Sequence, residues 1–168
     1  MRAPLKKRSI GGFTLIELMV TLAILVILLT IGVPSMLDLM RDARLSGQAD
    51  QLVGILKAAR IEAIKERKDY TVCPSAAPDT ATACSTALAD WSTGVLIWDG
   101  TTVVRRASVA QGVTVTFAAT TIVFRGTIGS SPAAGTITVC ATGRTEQQID
   151  ITLAGRVSKR INSGTTCS

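Results

Sequence analysis

The chain has 168 residues, of which 47% are hydrophobic, and its formal net charge is +6. Four of its 18 basic residues lie in the first twelve positions, which leaves 14 basic against 12 acidic residues in the rest. The length predicts one globular domain besides any anchor. Histidine is absent and the acids are scattered, so we expect no enzyme, no cofactor and no metal, because acid–base catalysis needs such groups in one pocket.

A basic leader precedes Gly12-Phe13, and Phe13 opens an apolar run that continues to Val33 with one carboxylate, Glu17. The 21 residues from Phe13 to Val33 can cross a bilayer as a helix, which needs about 20. A secretory signal is cleaved after its apolar run, whereas the Gly-Phe junction comes before it here. A charge at membrane depth is costly unless it is paired, so Glu17 is a functional candidate. The alternative is a signal-anchor helix with a chance glutamate.

This combination of basic leader, Gly12, Phe13 and Glu17 resembles the leader junction of type IV pilins and pseudopilins. The resemblance implies that a prepilin peptidase cuts after Gly12 and methylates the new amino terminus at Phe13. It also implies that Glu17 pairs with the amino group of Phe13 in a neighbouring subunit during filament assembly. Such pairing in lipid relieves the cost of burying either charge alone.

The helix is predicted to continue beyond the membrane. It would then run from about Thr14 to about Arg67, a total length of ~80 Å. Pro34 removes one backbone hydrogen bond and, with Gly32, is expected to kink it, either as a hinge or without functional effect. Six apolar residues then recur at helical spacing among charged ones. They are Leu45, Ala49, Leu52, Leu56, Ala59 and Ala63. This pattern predicts an amphipathic helix with one face packed on a domain.

From Tyr70 the sequence changes to short β-rich segments separated by turn residues. Strands are predicted at Tyr70–Cys73, Val95–Trp98, Thr102–Arg105, Val113–Phe117, Thr121–Arg125, Thr136–Cys140, Ile149–Leu153 and around Arg156–Ile161. Asp99-Gly100 predicts a two-residue type I′ hairpin turn. The expected class is α+β, with the long helix packed on an antiparallel β-sheet or a small β-sandwich.

These predictions divide the chain into four parts. They are the leader (1–12), the membrane and assembly helix (13–36), the amphipathic helix (37–69) and the β-rich globular domain (70–168). The basic leader predicts that the amino terminus stays in the cytoplasm and that the rest is exported.

Four cysteines lie in the exported part and allow three pairings, among which the sequence alone does not choose. Their order along the chain favours Cys73–Cys84 and Cys140–Cys167. Zinc sites usually have closely paired cysteines such as C-x-x-C, which this sequence lacks. We therefore expect disulfides formed in an oxidising periplasm.

Several segments of the exported part form a further set of patterns. They are Ala59–Lys65 followed by Tyr70–Cys73, Asp90–Asp99, Phe124–Gly126, Thr138–Cys140 and Gly155–Val157. With these patterns the chain resembles the GspH/FimT group of minor pilins and minor pseudopilins along most of its length. The resemblance implies a minor pilin that helps to initiate or cap a type IV pilus, or alternatively a minor pseudopilin of type II secretion. The implied partners are prepilin peptidase, other major and minor pilins or pseudopilins, and the inner-membrane assembly platform. The implied location is the bacterial inner membrane, with a single membrane pass and a periplasmic globular domain.

Residues 101–168 carry seven basic and two acidic side chains, which suggests an anion-binding face. Some members of the group bind DNA through a Gly-Arg-x-Arg tail, and here residues 155–160 depart from that pattern at Ser158. Candidate contacts to double-stranded DNA are Arg156, Lys159, Arg160, Arg144 and Arg125. The alternative is a solvated strand edge whose charges discourage aggregation. Trp91 and Trp98 are expected to pack in the core or loops rather than to stack on bases.

Overall fold

The computed structural model describes residues 13–132 and 134–168, except for the side chains of residues 31, 32 and 34. Helix α1 is Leu15–Glu66, so the predicted helix is confirmed to within one residue at each end. The strands are β1 (Tyr70–Pro74), β2 (Gly94–Trp98), β3 (Val103–Ser108), β4 (Thr114–Thr116), β5 (Ile122–Phe124), β6 (Gly135–Cys140), β7 (Thr145–Ile151) and β8 (Val157–Thr166). A short 3₁₀ helix, Leu88–Ser92, precedes β2. The predicted leader and Gly12 lie outside the described residues.

The chain divides into two compact units, Met1–Leu39 and Met40–Ser168. The backbone of α1 is helical through residues 32 and 34, so the Gly32–Pro34 pair does not end the helix, and a kink there stays a prediction. The second unit contains all the buried core residues that the structure describes, and both disulfides. It is therefore suited to expression as a soluble fragment.

The second half of α1 packs one face into the core of the domain. All six apolar residues predicted to form this face are buried, each with at most 2% of its surface exposed. They share one core cluster with residues of both sheets, among them Val72 and Ile97 from the first sheet and Ile137 and Ile149 from the second. The helix thus supplies an apolar stripe on which the sheets are assembled.

Helix α1 ends in a turn that leads directly into β1. Arg67 has a positive φ of 53°, and the backbone N–H of Lys68 donates to the carbonyl of Ala63 at 3.2 Å, the bond of a Schellman cap. The Tyr70 hydroxyl donates to Glu66 Oε2 at 2.7 Å. This bond, together with burial, raises the pKa of Tyr70 to about 12. The end of the helix is thereby fixed to the first strand.

The eight strands form two four-stranded sheets, ordered β3-β2-β1-β5 and β4-β6-β7-β8, and all six strand pairings are antiparallel. The expected α+β class is therefore confirmed, and the strands form two small antiparallel sheets rather than a single one. Every predicted strand is present, although β8 extends to Thr166, five residues beyond its predicted end.

Trp91 and Ser92 of the Asp90–Gly94 segment make specific contacts with the rest of the domain. The Trp91 ring is buried, its Nε1 donates to the Ala119 carbonyl at 2.9 Å, and it lies edge-on to Phe117 with ring centroids 5.8 Å apart. The Ser92 hydroxyl donates to the Val115 carbonyl and accepts from its N–H, both at 3.0 Å. Trp91 is thus a core residue, as expected from the sequence.

Two disulfides link Cys73 to Cys84 and Cys140 to Cys167. This is the pairing that the order of the cysteines favours. The first ties β1 to the loop before the 3₁₀ helix, and the second ties the end of β6 to the chain just beyond β8.

The type I′ turn predicted at Asp99-Gly100 is wrong, because the hairpin pairs Trp98 with Val103 and has a four-residue loop. Within residues 99–102, all described, only Gly100 has a positive φ (95°), whereas a type I′ turn needs two. Asp99 Oδ1 instead accepts from the backbone N–H groups of Thr101 and Thr102, both at 2.7 Å. An aspartate that satisfies two backbone donors favours this longer loop.

The Asp99 turn predicts an acid-dependent loss of stability. The N–H groups of Thr102 and Thr101, helped by Lys68, lower the pKa of Asp99 from 3.8 to about 2. Since the folded pKa lies below the unfolded one, Asp99 stabilises the fold above pH ~4, and this contribution is lost as the pH falls towards ~2. In urea unfolding of the fragment 40–168, Asp99→Asn should be less stable than wild type at pH 7, with a difference that shrinks at low pH.

The control for this prediction is Asp79→Asn. Asp79 is exposed and makes no ion pair or hydrogen bond among the described residues. It should show no such pH-dependent difference. A constant difference for Asp99→Asn between pH 7 and pH 2 would contradict the assignment.

Candidate functional sites

The amino-terminal turn of α1 places Glu17 beside its own helix cap. Thr14 precedes the helix, and its Oγ1 accepts a hydrogen bond from the Glu17 backbone N–H at 3.2 Å. Thr-x-x-Glu is the sequence pattern of a capping box, and a carboxylate in the first turn is favoured by the helix dipole. Glu17 is a functional residue predicted from the sequence, whereas Thr14 is not, although the Thr-x-x-Glu pattern could have revealed it.

The segment that follows Glu17 is apolar on every side. No charged residue occurs between Glu17 and Asp38, and every described side chain from Phe13 to Thr30 is exposed. The helix is long and apolar enough to cross a membrane, with a mean hydropathy of 2.7 in its most apolar stretch. The hydroxyls of Thr21 and Thr30 donate to helix carbonyls three residues earlier, both at 2.8 Å. The hydroxyl donors of these two side chains are therefore satisfied within the helix.

The predicted basic tail does not form one cluster. Lys159 and Arg160 follow each other along β8 and so point to opposite faces of the sheet. Lys159 Nζ reaches α1 and pairs with Asp50 at 2.6 Å, whereas Arg160 Nε pairs with Asp150 at 2.6 Å. A hydrogen bond from the Thr136 hydroxyl, followed by the Arg160 guanidinium, lowers the pKa of Asp150. Both basic residues are already matched by carboxylates.

Arg144 is separate from that tail. Its Nη1 lies 3.4 Å from Asp42 Oδ2 on α1, and its side chain is mostly buried, with 17% exposed. Three of the five predicted DNA contacts are therefore held by acids of the same chain.

Arg125 and Arg156 differ from the other three, because both are exposed and form no ion pair among the described residues. Their two turns are connected through the Ser131 N–H, which donates to the Leu153 carbonyl at 3.0 Å. Arg156 also lines a cleft of about 300 Å³ together with Lys57 and Arg60 of α1. Lys57 and Arg60 were not among the residues predicted to bind DNA, although their i, i+3 spacing places them side by side on the helix.

Arg60 fixes the turn that carries Arg156. Its Nε donates to the Gly129 carbonyl and its Nη2 to the Ala154 carbonyl, both at 3.1 Å. Gly155 has a φ of +71°, and a Cβ at this position would overlap the Gly129 carbonyl. Glycine is thus required before Arg156 by both backbone conformation and space.

Two family models match the sequence. The prokaryotic N-terminal methylation motif matches residues 7–33, and the Type II transport protein GspH model matches residues 48–155, more than half of the chain. The chain belongs to the GspH family. Together with the methylation motif, membership makes it a minor pilin or pseudopilin of the type IV pilus and type II secretion families. The GspH match ends at Gly155, so Arg156, Lys159 and Arg160 lie beyond it.

Two crystal structures of the type IV minor pilin FimU from Pseudomonas aeruginosa (strain PAO1) have a similar fold. The form in space group P65 gives a TM-score of 0.55 at 21% identity, covering 71% of this chain and 94% of FimU. The form in space group P21 gives 0.57 at 21% identity, covering 76% and 95%. At this identity the likeness concerns the fold alone. A comparison with curated proteins found no match.

A matched pair of glycine substitutions tests the turn before Arg156. Gly155 and Gly143 both have a φ of +71°, but a Cβ at Gly143 would have nothing within 4 Å. Gly143→Ala should therefore cost only the conformational strain, about 1–2 kcal/mol. Gly155→Ala adds the overlap with the backbone and should cost roughly 3 kcal/mol or more. Urea unfolding of the fragment 40–168 measures both, and equal losses would contradict the close packing at Gly155.

Proposed function

We propose that this GspH-family chain is a FimT/FimU-like minor pilin that helps to initiate or cap a type IV pilus. Before assembly it is anchored by α1 in the bacterial inner membrane, with the unit Met40–Ser168 in the periplasm. The observation that carries the proposal is the first turn of α1, where an exposed apolar helix opens with Glu17 four residues after Phe13. The role is one of assembly rather than catalysis.

The proposed mechanism begins with cleavage by prepilin peptidase between Gly12 and Phe13, which removes four positive charges. The new amino group on Phe13, methylated by the same enzyme, keeps a positive charge at the membrane. A neighbouring subunit that arrives in register lets Glu17 pair with that amino group, so that both charges lose their desolvation cost together. Subunits out of register leave Glu17 unpaired in lipid.

A minor pseudopilin of type II secretion is the alternative machine. The family model named for GspH supports it, whereas the fold likeness to FimU supports the pilus. In either case the proposed partners are prepilin peptidase, other pilins or pseudopilins and the inner-membrane assembly platform. Deletion of the gene, scored for surface pili and for protein secretion in parallel, separates the two. Lost secretion with normal piliation would overturn the pilus assignment.

Processing should depend on Gly12. In Gly12→Leu the peptidase lacks its small residue at the junction, so mass spectrometry of the membrane fraction should find the full 168-residue chain. Wild type should give a chain that begins with methylated Phe13. A product cleaved after residue 12 in the variant would contradict the dependence on Gly12, and a wild-type chain that does not begin at Phe13 would rule out this junction.

Assembly should depend on the charge of Glu17 rather than on its place in the cap. Glu17→Gln keeps a capping-box residue but loses the charge, so it should be processed and inserted yet poorly incorporated into sheared filaments. Thr14→Ala removes the hydroxyl that accepts the Glu17 N–H and keeps the charge, so incorporation should persist. Immunoblots of the filament and membrane fractions measure both. If only Thr14→Ala fails, the capping role is the important one.

Binding of double-stranded DNA, as in DNA uptake, is a second candidate function. It is favoured by the exposure of Arg156 and Arg125 without an acidic partner in the described chain, and by Lys57 in the cleft that Arg156 lines. Phosphate contacts need charge rather than an exact spacing of residues. The proposed DNA surface is therefore Lys57, Arg125 and Arg156, rather than the whole basic tail.

If DNA binds, the basic residues without an ion pair among the described residues should behave differently from those that have one. Lys57→Gln and Arg156→Gln in the fragment 40–168 should each weaken duplex binding and reduce the slope of log K against log salt by about 0.9. Lys159→Gln and Arg160→Gln should have smaller effects, because both side chains already pair with carboxylates. Fluorescence anisotropy at several salt concentrations measures these slopes. The absence of binding at low salt would end this candidate.

A further inference from the structure

A second basic cleft lies apart from the proposed DNA surface. It has a volume of about 420 Å³ and is lined by Arg41 and Arg44 of α1, by the turn at residues 111–113 and by the turn at residues 141–144, which contributes Thr142 and Arg144. Three guanidinium groups and a hydroxyl thus border one opening.

The chain fixes the wall of this cleft that carries Arg144. The Arg144 N–H donates to the Ala141 carbonyl at 3.0 Å, the Gly143 N–H to the Cys167 carbonyl at 3.0 Å, and the Cys167 N–H to the Arg144 carbonyl at 2.8 Å. Cys167 is itself joined to Cys140 by a disulfide. The turn is therefore held by its own hydrogen bond and by its bonds to Cys167.

The opposite turn is also fixed. Gln48, a buried residue of α1, accepts the Ala110 N–H through its Oε1 at 2.9 Å, and the Val113 N–H donates to the Ala110 carbonyl at 3.1 Å. Gly112 takes a φ of +81° in this turn. The cleft is therefore formed before any ligand arrives, which lowers the entropic cost of binding.

The charge in the cleft suits an anion. Arg44 is exposed and has no ion pair among the described residues. Arg144 pairs with Asp42 at 3.4 Å, but the Asp42 side chain is itself 57% exposed. Guanidinium groups bind phosphate in a bidentate manner, and the Thr142 hydroxyl offers a further donor.

The position of Arg41 and Arg44 in the sequence, shortly after the predicted membrane helix, favours a membrane lipid as the anionic ligand. Arg41 follows Met36, the end of the predicted membrane helix, by five residues, a distance of at most ~18 Å for an extended chain. Basic residues this close to a membrane span are normally concentrated on the cytoplasmic side, yet these two lie on the exported side in the proposed topology. A lipid ligand accounts for their position.

We propose that this cleft binds the phosphate of an anionic phospholipid headgroup at the periplasmic surface of the membrane. The inference rests on the proposed membrane orientation but not on which filament the chain enters. Each arginine near an anionic surface strengthens binding by about fivefold. Bound lipid would hold the globular domain at the membrane until the subunit leaves for the filament.

The test uses the chain that begins at Phe13, so that the leader's charges do not contribute, in detergent micelles doped with phosphatidylglycerol or phosphatidylcholine. Native mass spectrometry should find phosphatidylglycerol retained in preference to phosphatidylcholine. Arg44→Gln should weaken that retention by about fivefold. The matched control is Arg105→Gln, which removes the same charge from an exposed position on β3 and should leave retention unchanged.

A second arm separates lipid from free phosphate. Inorganic phosphate is titrated into the fragment 40–168, and NMR follows the amides of the two turns. Phosphate binding without a preference for phosphatidylglycerol would overturn the lipid source. Equal losses in Arg44→Gln and Arg105→Gln would overturn the cleft in favour of diffuse charge. None of these outcomes depends on filament incorporation, so failure here is distinguishable from failure of the assembly proposal.

Discussion

Both sheets depend on one face of a single helix. Ala49, Ala59 and Ala63 are fully buried on α1, and their small side chains let the strands approach the helix closely, while Leu52 and Leu56 fill the remaining space. Because the two sheets share this one core, neither has a separate interior of its own. Anything that disturbs this face of the helix therefore acts on the whole unit Met40–Ser168, including both basic clefts.

The composition of α1 changes along its length. Between Glu17 and Asp38 the helix is apolar on all sides. After Arg41 its charged residues make specific contacts with the globular unit, because Asp42, Asp50 and Arg60 each bind a different part of the β-rich chain. Polar positions that would be solvated on an isolated helix are here attachment points for loops and strands.

Much of this architecture could be predicted from sequence, because it follows from local periodicity. The helix, its buried face and every strand follow from spacings of 3.6 and 2 residues. The turn at Asp99 was predicted wrongly. Whether the Asp99 carboxylate accepts hydrogen bonds from two backbone N–H groups depends on the conformation of the folded loop, which the dipeptide Asp99-Gly100 does not determine. The prediction that the basic residues of the tail form one cluster was wrong for another reason. Residues adjacent in a strand lie on opposite faces, and their acidic partners, Asp50 and Asp150, are distant in sequence.

Strand β8 lies at the edge of its sheet and is ten residues long. Its outer backbone groups are a template on which another chain could add a strand. Lys159 turns inward from this edge to Asp50, and a slip by one residue would expose it and place Arg160 against the helix instead. The ion pair between Lys159 and Asp50 therefore favours the observed register of β8 over a register shifted by one residue.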